Sequence, residues 1–279
     1  MKEAGSVTSL EPAVRRAASA EPAWIGFIAD TATIADAELR KVFRDPLEIL
    51  TRAVQPILWL LVFGQVLAST RAIPTGNVPY LDFLAPGVLA QSALFSSIFY
   101  GIAVIWERDL GVVHKLLVSP APRTSLVLGK AIAGGIRGLA QAVLVYLVSI
   151  LIGIHLRLDP VSIIGVAGAI FLGAALFSTF SLVIACLVRS RERFMGIGQL
   201  MTMPLFFASS AVYPVTLMPD WLKAVATVNP LTYMVDAIRS QMVVGGTSEH
   251  GLAVDALVMG GVLVILLAIA GRLYPRLAQ

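Results

Sequence analysis

Three histidines, one cysteine and one Gly-Lys pair are among the residues of this chain whose types could hold a metal, attack a carbonyl or cradle a phosphate. His114, His155 and His250 fall in three different segments, so no spacing joins them into a metal site. Cys186 stands alone, which excludes an internal disulfide or a cysteine cluster and leaves a small buried apolar residue. Gly129-Lys130 is followed by Ala131 and lacks the first glycine of a phosphate-binding loop, so the chain should not bind ATP by itself. No serine sits in a nucleophile elbow. The expectation is a protein that is not an enzyme, with no catalytic residue, metal or cofactor of its own.

Charge is gathered instead in one stretch. WERDLGVVHKLLVSPAPR, from Trp106 to Arg123, holds Glu107, Arg108, Asp109 and Lys115 around Leu110, Val113, Leu116 and Leu117. Apolar positions at i, i+3 and i+7 predict an amphipathic helix, which Pro120 and Pro122 end. Such a helix either lies on lipid or fits a groove on another protein, and its mixed charge suits the groove better. A second polar cluster, VNPLTYMVDAIR, opens with Asn229-Pro230, a capping side chain followed by proline at the first turn. It places Asp236 and Arg239 on one face, as an ion pair that would hold two short helices together.

The elements that must position these clusters are membrane helices. The chain has 279 residues, 57% of them hydrophobic and 14% charged, with mean hydropathy +0.84. A soluble domain carries about 25% charged residues. Stretches near the roughly 20 apolar residues that cross a bilayer lie at about 50–68, 83–105, 131–154, 162–188, 195–215 and 252–273. The expected fold class is therefore all-α, a polytopic membrane protein with six transmembrane helices in residues 47–279. Residues 1–22 lack the apolar core of a signal peptide and are expected to be a disordered cytoplasmic tail.

In residues 23–46, Trp24, Phe27, Ile28, Ile34, Ala35, Val42 and Phe43 fall at helical spacing, and Asp36 pairs with Arg40 on the polar side. This reads as an interfacial helix on the inner leaflet, the alternative being a cytoplasmic helix packed on other protein. The segment 214–251 is too polar to span and too apolar for a free loop. Short helices from Asp220 to Thr227 and from Pro230 to about Val243 are expected to re-enter the outer leaflet, shielded by protein. The middles of the spans are nearly free of ionisable residues, which argues against proton coupling, and no internal repeat is visible.

Lys and Arg choose the side of the membrane. Sixteen fall in the parts assigned to the cytoplasm and four, Arg71, Arg157, Lys223 and Arg239, in the outer parts. Arg137, inside the third span, is expected to snorkel back to the cytoplasmic surface. Both termini and the loop 106–130 are thereby placed in the cytoplasm. The net charge of +4 is not clustered on a soluble domain, so no nucleic-acid partner is expected.

ERDLGVVHKLLVSPAPR resembles the E-R-x-x-G-x-x-x-x-L-L-x-x-P-x-x-R segment of type-2 ABC exporter membrane subunits. VNPLTYMVDAIR resembles the segment before their last span, and FFASSAVYPVTLMPDWL their fifth-span region. The resemblance covers roughly residues 24–275 and is greatest to the daunorubicin-resistance-like subgroup. It implies a permease paired with a second permease, identical or homologous, and with two ATP-binding cassette subunits that carry ATP and Mg. It implies that the loop 106–130 docks on the ATPase through Glu107, Arg108, Gly111, Leu116, Leu117, Pro120 and Arg123. In that reading Gly111 allows close approach, the leucines fill a groove, and Glu107 and Arg108 make charged contacts at its edge.

The same resemblance makes residues 23–46 a connecting helix and matches Asn229, Pro230, Tyr233, Asp236 and Arg239 to an outer re-entrant motif. It places the export path between two permeases, near spans one, two and five, with Phe63, Phe95, Phe99, Phe206 and Phe207 as lining candidates. The implied cargo is an amphipathic drug-like molecule or lipid, leaving across a bacterial cytoplasmic membrane. Export of a polysaccharide or lipid-linked glycan is the alternative, and a stand-alone channel or secondary transporter the alternative of a different class.

Overall fold

The structure is a computed structural model that describes residues 23–44, 46–70, 73–76, 78–118, 121–188 and 190–278. The tail expected at 1–22 and Pro120 of the charged stretch lie outside the described residues. Among the described residues no strand forms, and one isolated antiparallel bridge joins Leu156 to Val243. Helix α1, Ala23–Arg44, leads into α2, Pro46–Leu58, then a π-helical stretch Trp59–Gly64 and α3, Gln65–Thr70. There follow α4, Tyr80–Asp109, α5, Val112–Val118, α6, Arg123–Leu151, α7, Pro160–Leu187, and α8, Arg191–Phe207. Two short helices, α9, Asp220–Val228, and α10, Pro230–Met242, precede α11, Leu252–Leu273.

Side chains fix several of these starts. Asp159 accepts from the Ser162 amide at 3.0 Å, with Pro160 as the first residue of α7, and Asn229 accepts from the Leu231 amide at 3.0 Å ahead of α10. Helices α4 and α7 form the middle of the bundle. The first helical run and α11 expose apolar faces, with Leu58, Val62 and Val66 on one and Leu257, Val264 and Ile265 on the other. Helix α6 crosses α7 on glycines: a Cβ at Gly138 would press on that of Ala174, and one at Gly134 on the Ser178 side chain.

Five helical runs among the described residues are long and apolar enough to cross a membrane: Leu50–Thr70, Tyr80–Asp109, Arg123–Leu151, Pro160–Leu187 and Leu252–Leu277. The fifth of the six expected spans, at 195–215, is built differently. Its helix, α8, has 17 residues. At 1.5 Å per residue that is about 25 Å, against a hydrocarbon core of about 30 Å. Pro204 removes an amide donor inside α8, and the chain leaves the helix at Ala208. It continues as a buried irregular run from Ala208 to Val212.

Candidate functional site

The charged stretch is two pieces rather than one helix. Trp106 to Asp109 close α4, the chain turns at Leu110-Gly111, and α5 is a separate helix of seven residues. Gly111 has φ +73°, the left-handed region that a side chain opposes, and nothing lies within 4 Å of the position its Cβ would take. Gly111 therefore makes the turn, and the space beside it is open to the outside. The apolar residues also divide. Val113 is fully buried, and Leu116 and Leu117 pack half-buried against the cluster that contains Val104, Tyr274 and Leu277. Leu110 and Val118 point outward, 70% and 87% exposed, with exposed Val112 and His114 between them.

Glu107 faces inward. Its carboxylate accepts from Lys130 Nζ at 2.6 Å and from Lys41 Nζ. The same two lysines donate to Glu38 of α1, at 2.8 Å and 3.2 Å. Lys130 and Glu38 are almost fully enclosed, so each charge depends on its partners to offset the cost of burial. Burial raises the Glu38 carboxyl, but Lys130 and Lys41 outweigh it and hold the group down to about 2. This quartet joins α1, α4 and α6. Contact between α1 and α6 is close enough that a Cβ at Gly129 would lie 2.8 Å from Ile34 Cβ.

Beside it, Asp109 bridges Arg108 at 3.0 Å and Arg191 at 2.7 Å, and Arg108 donates to the Val188 carbonyl. The Arg191 guanidinium also lies 3.6 Å from the centre of the Trp106 ring. The turn is thus tied to the start of α8. The charged contacts expected of Glu107 and Arg108 at the edge of a partner's groove are, in this chain, made internally. The Arg137 guanidinium lies over the Tyr100 ring at 4.7 Å. Exposed Arg123 starts α6.

Glu38 and Lys130 were not singled out as site residues by sequence reasoning. The signal was present. Glu38 lies four residues after Ile34 and four before Val42, on the apolar stripe of α1, where an acid requires a buried cation.

At the opposite end of the bundle, the irregular run after α8 is satisfied by buried side chains. Asn229 donates to the carbonyls of Leu205 and Ala208 at 2.7 Å and 2.9 Å. Arg239 donates to the Ser210 carbonyl at 2.6 Å and to that of Phe83 at 3.4 Å, and stacks 3.9 Å from the Phe83 ring centre. Burial lowers the Arg239 guanidinium to about 10, the charges of Asp236 and Glu249 offsetting part of the shift. Asp236 turns elsewhere: it accepts from Ser248 Oγ and the Glu249 and His250 amides, and its Oδ2 lies 3.2 Å from His250 Nδ1. The Asp236–Arg239 ion pair expected from their spacing does not form. The two side chains point to different segments, and each is engaged there. Tyr233 donates to the Thr227 carbonyl at 2.7 Å, joining α9 to α10.

The five candidate phenylalanines fall in two groups. Phe63, Phe206 and Phe207 gather around Trp59, whose ring centre lies 4.4, 5.9 and 6.3 Å from theirs. Phe95 and Phe99, 6.3 Å apart, line a groove of about 210 Å³ between α2 and α4. Gln91 lines the same groove, and its carbonyl oxygen is buried without a hydrogen-bond partner.

Comparison with known proteins agrees with this architecture. The chain is 30% identical to "Putative transport permease ycf38" of Cyanophora paradoxa over 199 residues, 70% of this chain and 68% of that protein. It is 23% identical over 232 residues to "Daunorubicin resistance ABC transporter permease protein DrrB1" of Streptomyces coeruleorubidus, covering 82% and 80% of the two chains. It is 25% identical over 188 residues to "Inner membrane transport permease YadH" of Escherichia coli K12, covering 65% and 70%. The family model described as "ABC-2 type transporter" matches residues 30–243, most of the bundle and both polar clusters, and the chain belongs to that family.

Proposed function

We propose that this chain is the permease subunit of an ATP-driven exporter, working as a dimer of permeases with two ATP-binding subunits at a bacterial cytoplasmic membrane. ATP and Mg belong to the partner subunits, and the chain itself has six spans, the fifth broken. The observation that carries the reading is the turn between α4 and α5. It presents Leu110, Val112 and Val118 to the outside while its charges are anchored within the chain. An exposed apolar tip on a rigid base is what a groove in a partner requires. Glu107 connects the tip to α1 and α6, and Asp109 and Trp106 connect it to α8. Displacement of the tip by a closing ATPase pair then moves three helices together, and the cavity between permeases alternates between inward-facing and outward-facing.

The groove sets Phe95, Phe99 and Ile102 beside Arg52, Gln55 and Gln91, whose side-chain oxygen is unpartnered, and this mixture of apolar and polar walls fits an amphipathic drug-like or lipid cargo. Glycan export is the second reading, favoured by the aromatic cluster around Trp59.

The test is Val118→Asp, in a side chain that touches almost nothing in the free subunit. Loss of an interface anchor costs about 2 kcal/mol or more, some thirtyfold in affinity. The variant should insert and fold as the parent does, lose its ATP-binding partner on purification, and fail to export. Normal co-purification and export would refute the docking role of this turn.

A further inference from the structure

Asp236, His250 and Asp255 each bring one ligand atom to within 4.8 Å of the others, at the end of the bundle opposite the charge quartet. Asp236 projects from α10, Asp255 from the first turn of α11, and His250 from the loop between. His250 Nδ1 lies 3.2 Å from Asp236 Oδ2, and Ser248 Oγ lies 3.0 Å from Asp236 Oδ2 and 3.3 Å from Asp255 Oδ2. Two ligands of one tetrahedral zinc, at bonds of about 2.0–2.1 Å, stand about 3.3 Å apart. The side chains are spaced as ligands of one ion.

A second observation is independent of that spacing. Asp255 is 0% exposed, yet its Oδ1 has no hydrogen-bond partner. A buried carboxylate oxygen without a donor is costly, and buried polar groups in folded proteins are nearly always satisfied. No Lys or Arg side chain among the described residues makes an ion pair with Asp236 or Asp255; the one basic partner within that range is His250 on Asp236. Apart from Arg239, whose charge acts on Asp236 from beyond ion-pair distance, two facing carboxylates and an imidazole have no positive charge beside them among the described residues, and one divalent cation supplies it.

The surroundings are arranged as a supporting shell. The Glu249 and His250 amides donate to Asp236 at 2.9 Å and 3.1 Å, and the Tyr233 ring packs 4.9 Å from the imidazole centre. The half-exposed His250 side chain gives the site its opening to solvent. Imidazole among the ligands selects zinc over magnesium or calcium, which prefer oxygen alone. We propose that Asp236, His250 and Asp255 bind a single zinc-class divalent ion, with Ser248 or water completing the shell, and that the ion clamps α10 to the start of α11.

The experiment uses the full chain in detergent, stripped with a chelator and titrated calorimetrically with Zn²⁺ and, separately, Mg²⁺. One Zn²⁺ should bind per chain, with a rise in the melting midpoint, and Mg²⁺ should bind far more weakly. His250→Ala, at a half-exposed loop position, should elute as the parent does and lose about tenfold or more in zinc affinity. Asp255→Asn should weaken it likewise. Co²⁺ in place of Zn²⁺ should give a visible absorption band that His250→Ala abolishes. No zinc binding by the parent up to millimolar concentration would overturn the site. Binding left unchanged in both variants would also overturn it, since the ion would then sit elsewhere and the buried Asp255 would carry a proton instead.

Discussion

Arg239 shows how a residue pattern can be right in its members and wrong in its bonds. Spacing placed Asp236 and Arg239 on one face of a short helix, and an ion pair was the simplest use of them. The structure uses Arg239 as a donor to the carbonyls of Ser210 and Phe83, and Asp236 as an acceptor for the loop 248–250. What made the Ser210 carbonyl available was the early end of α8, which a hydropathy window does not show. Arg239→Ala removes the donor of the buried Ser210 carbonyl, at about 1–3 kcal/mol. The yield of folded protein, read by gel filtration, should fall. Exchanging the two charges in one double variant should lower it further, whereas recovery by the exchange would restore the ion-pair account.

At the scale of elements, the quartet of Glu38, Lys41, Glu107 and Lys130 binds α1 to α4 and α6. Its dependence on pH has a fixed sign. The Glu38 carboxyl falls from an ordinary 4.5 to about 2 in the folded chain. Its contribution is complete above 4.5 and is lost as pH falls from there toward 2. Melting midpoints of the detergent-solubilised chain should therefore drop between about pH 5 and 3 more in the parent than in Glu38→Gln. The variant should start lower at pH 7, by up to about 3 kcal/mol, because Lys130 loses one of its two carboxylates. Equal acid sensitivity in both chains would show that the quartet does not hold α1.

Helical class and most element positions were legible in the sequence because apolar runs and caps are local: Asn229-Pro230 starts α10 where its spacing says it should. The turn at Gly111 was half legible. The glycine was seen, but its positive φ depends on the way α5 folds back. The partners of Glu107 lie 66 and 23 residues away, and periodicity carries no such information. The Asp236, His250 and Asp255 cluster is hidden for a similar reason: its members come from two helices and the loop between them, and no local spacing joins them.

For the whole molecule, the central claim is that the tip of the α4–α5 turn rests on an ATP-binding subunit, on the cytoplasmic side, with the loop at 73–76 on the other. One cross-linking measurement addresses both halves of it. In a Cys186→Ala background, Val118→Cys and Thr75→Cys would be made singly, and membranes containing the assembled transporter treated with a short thiol-to-amine cross-linker. The account predicts a product joining the Val118→Cys permease to its ATP-binding subunit, sensitive to added ATP and vanadate, and none from Thr75→Cys. A product from Thr75→Cys with none from Val118→Cys would contradict it.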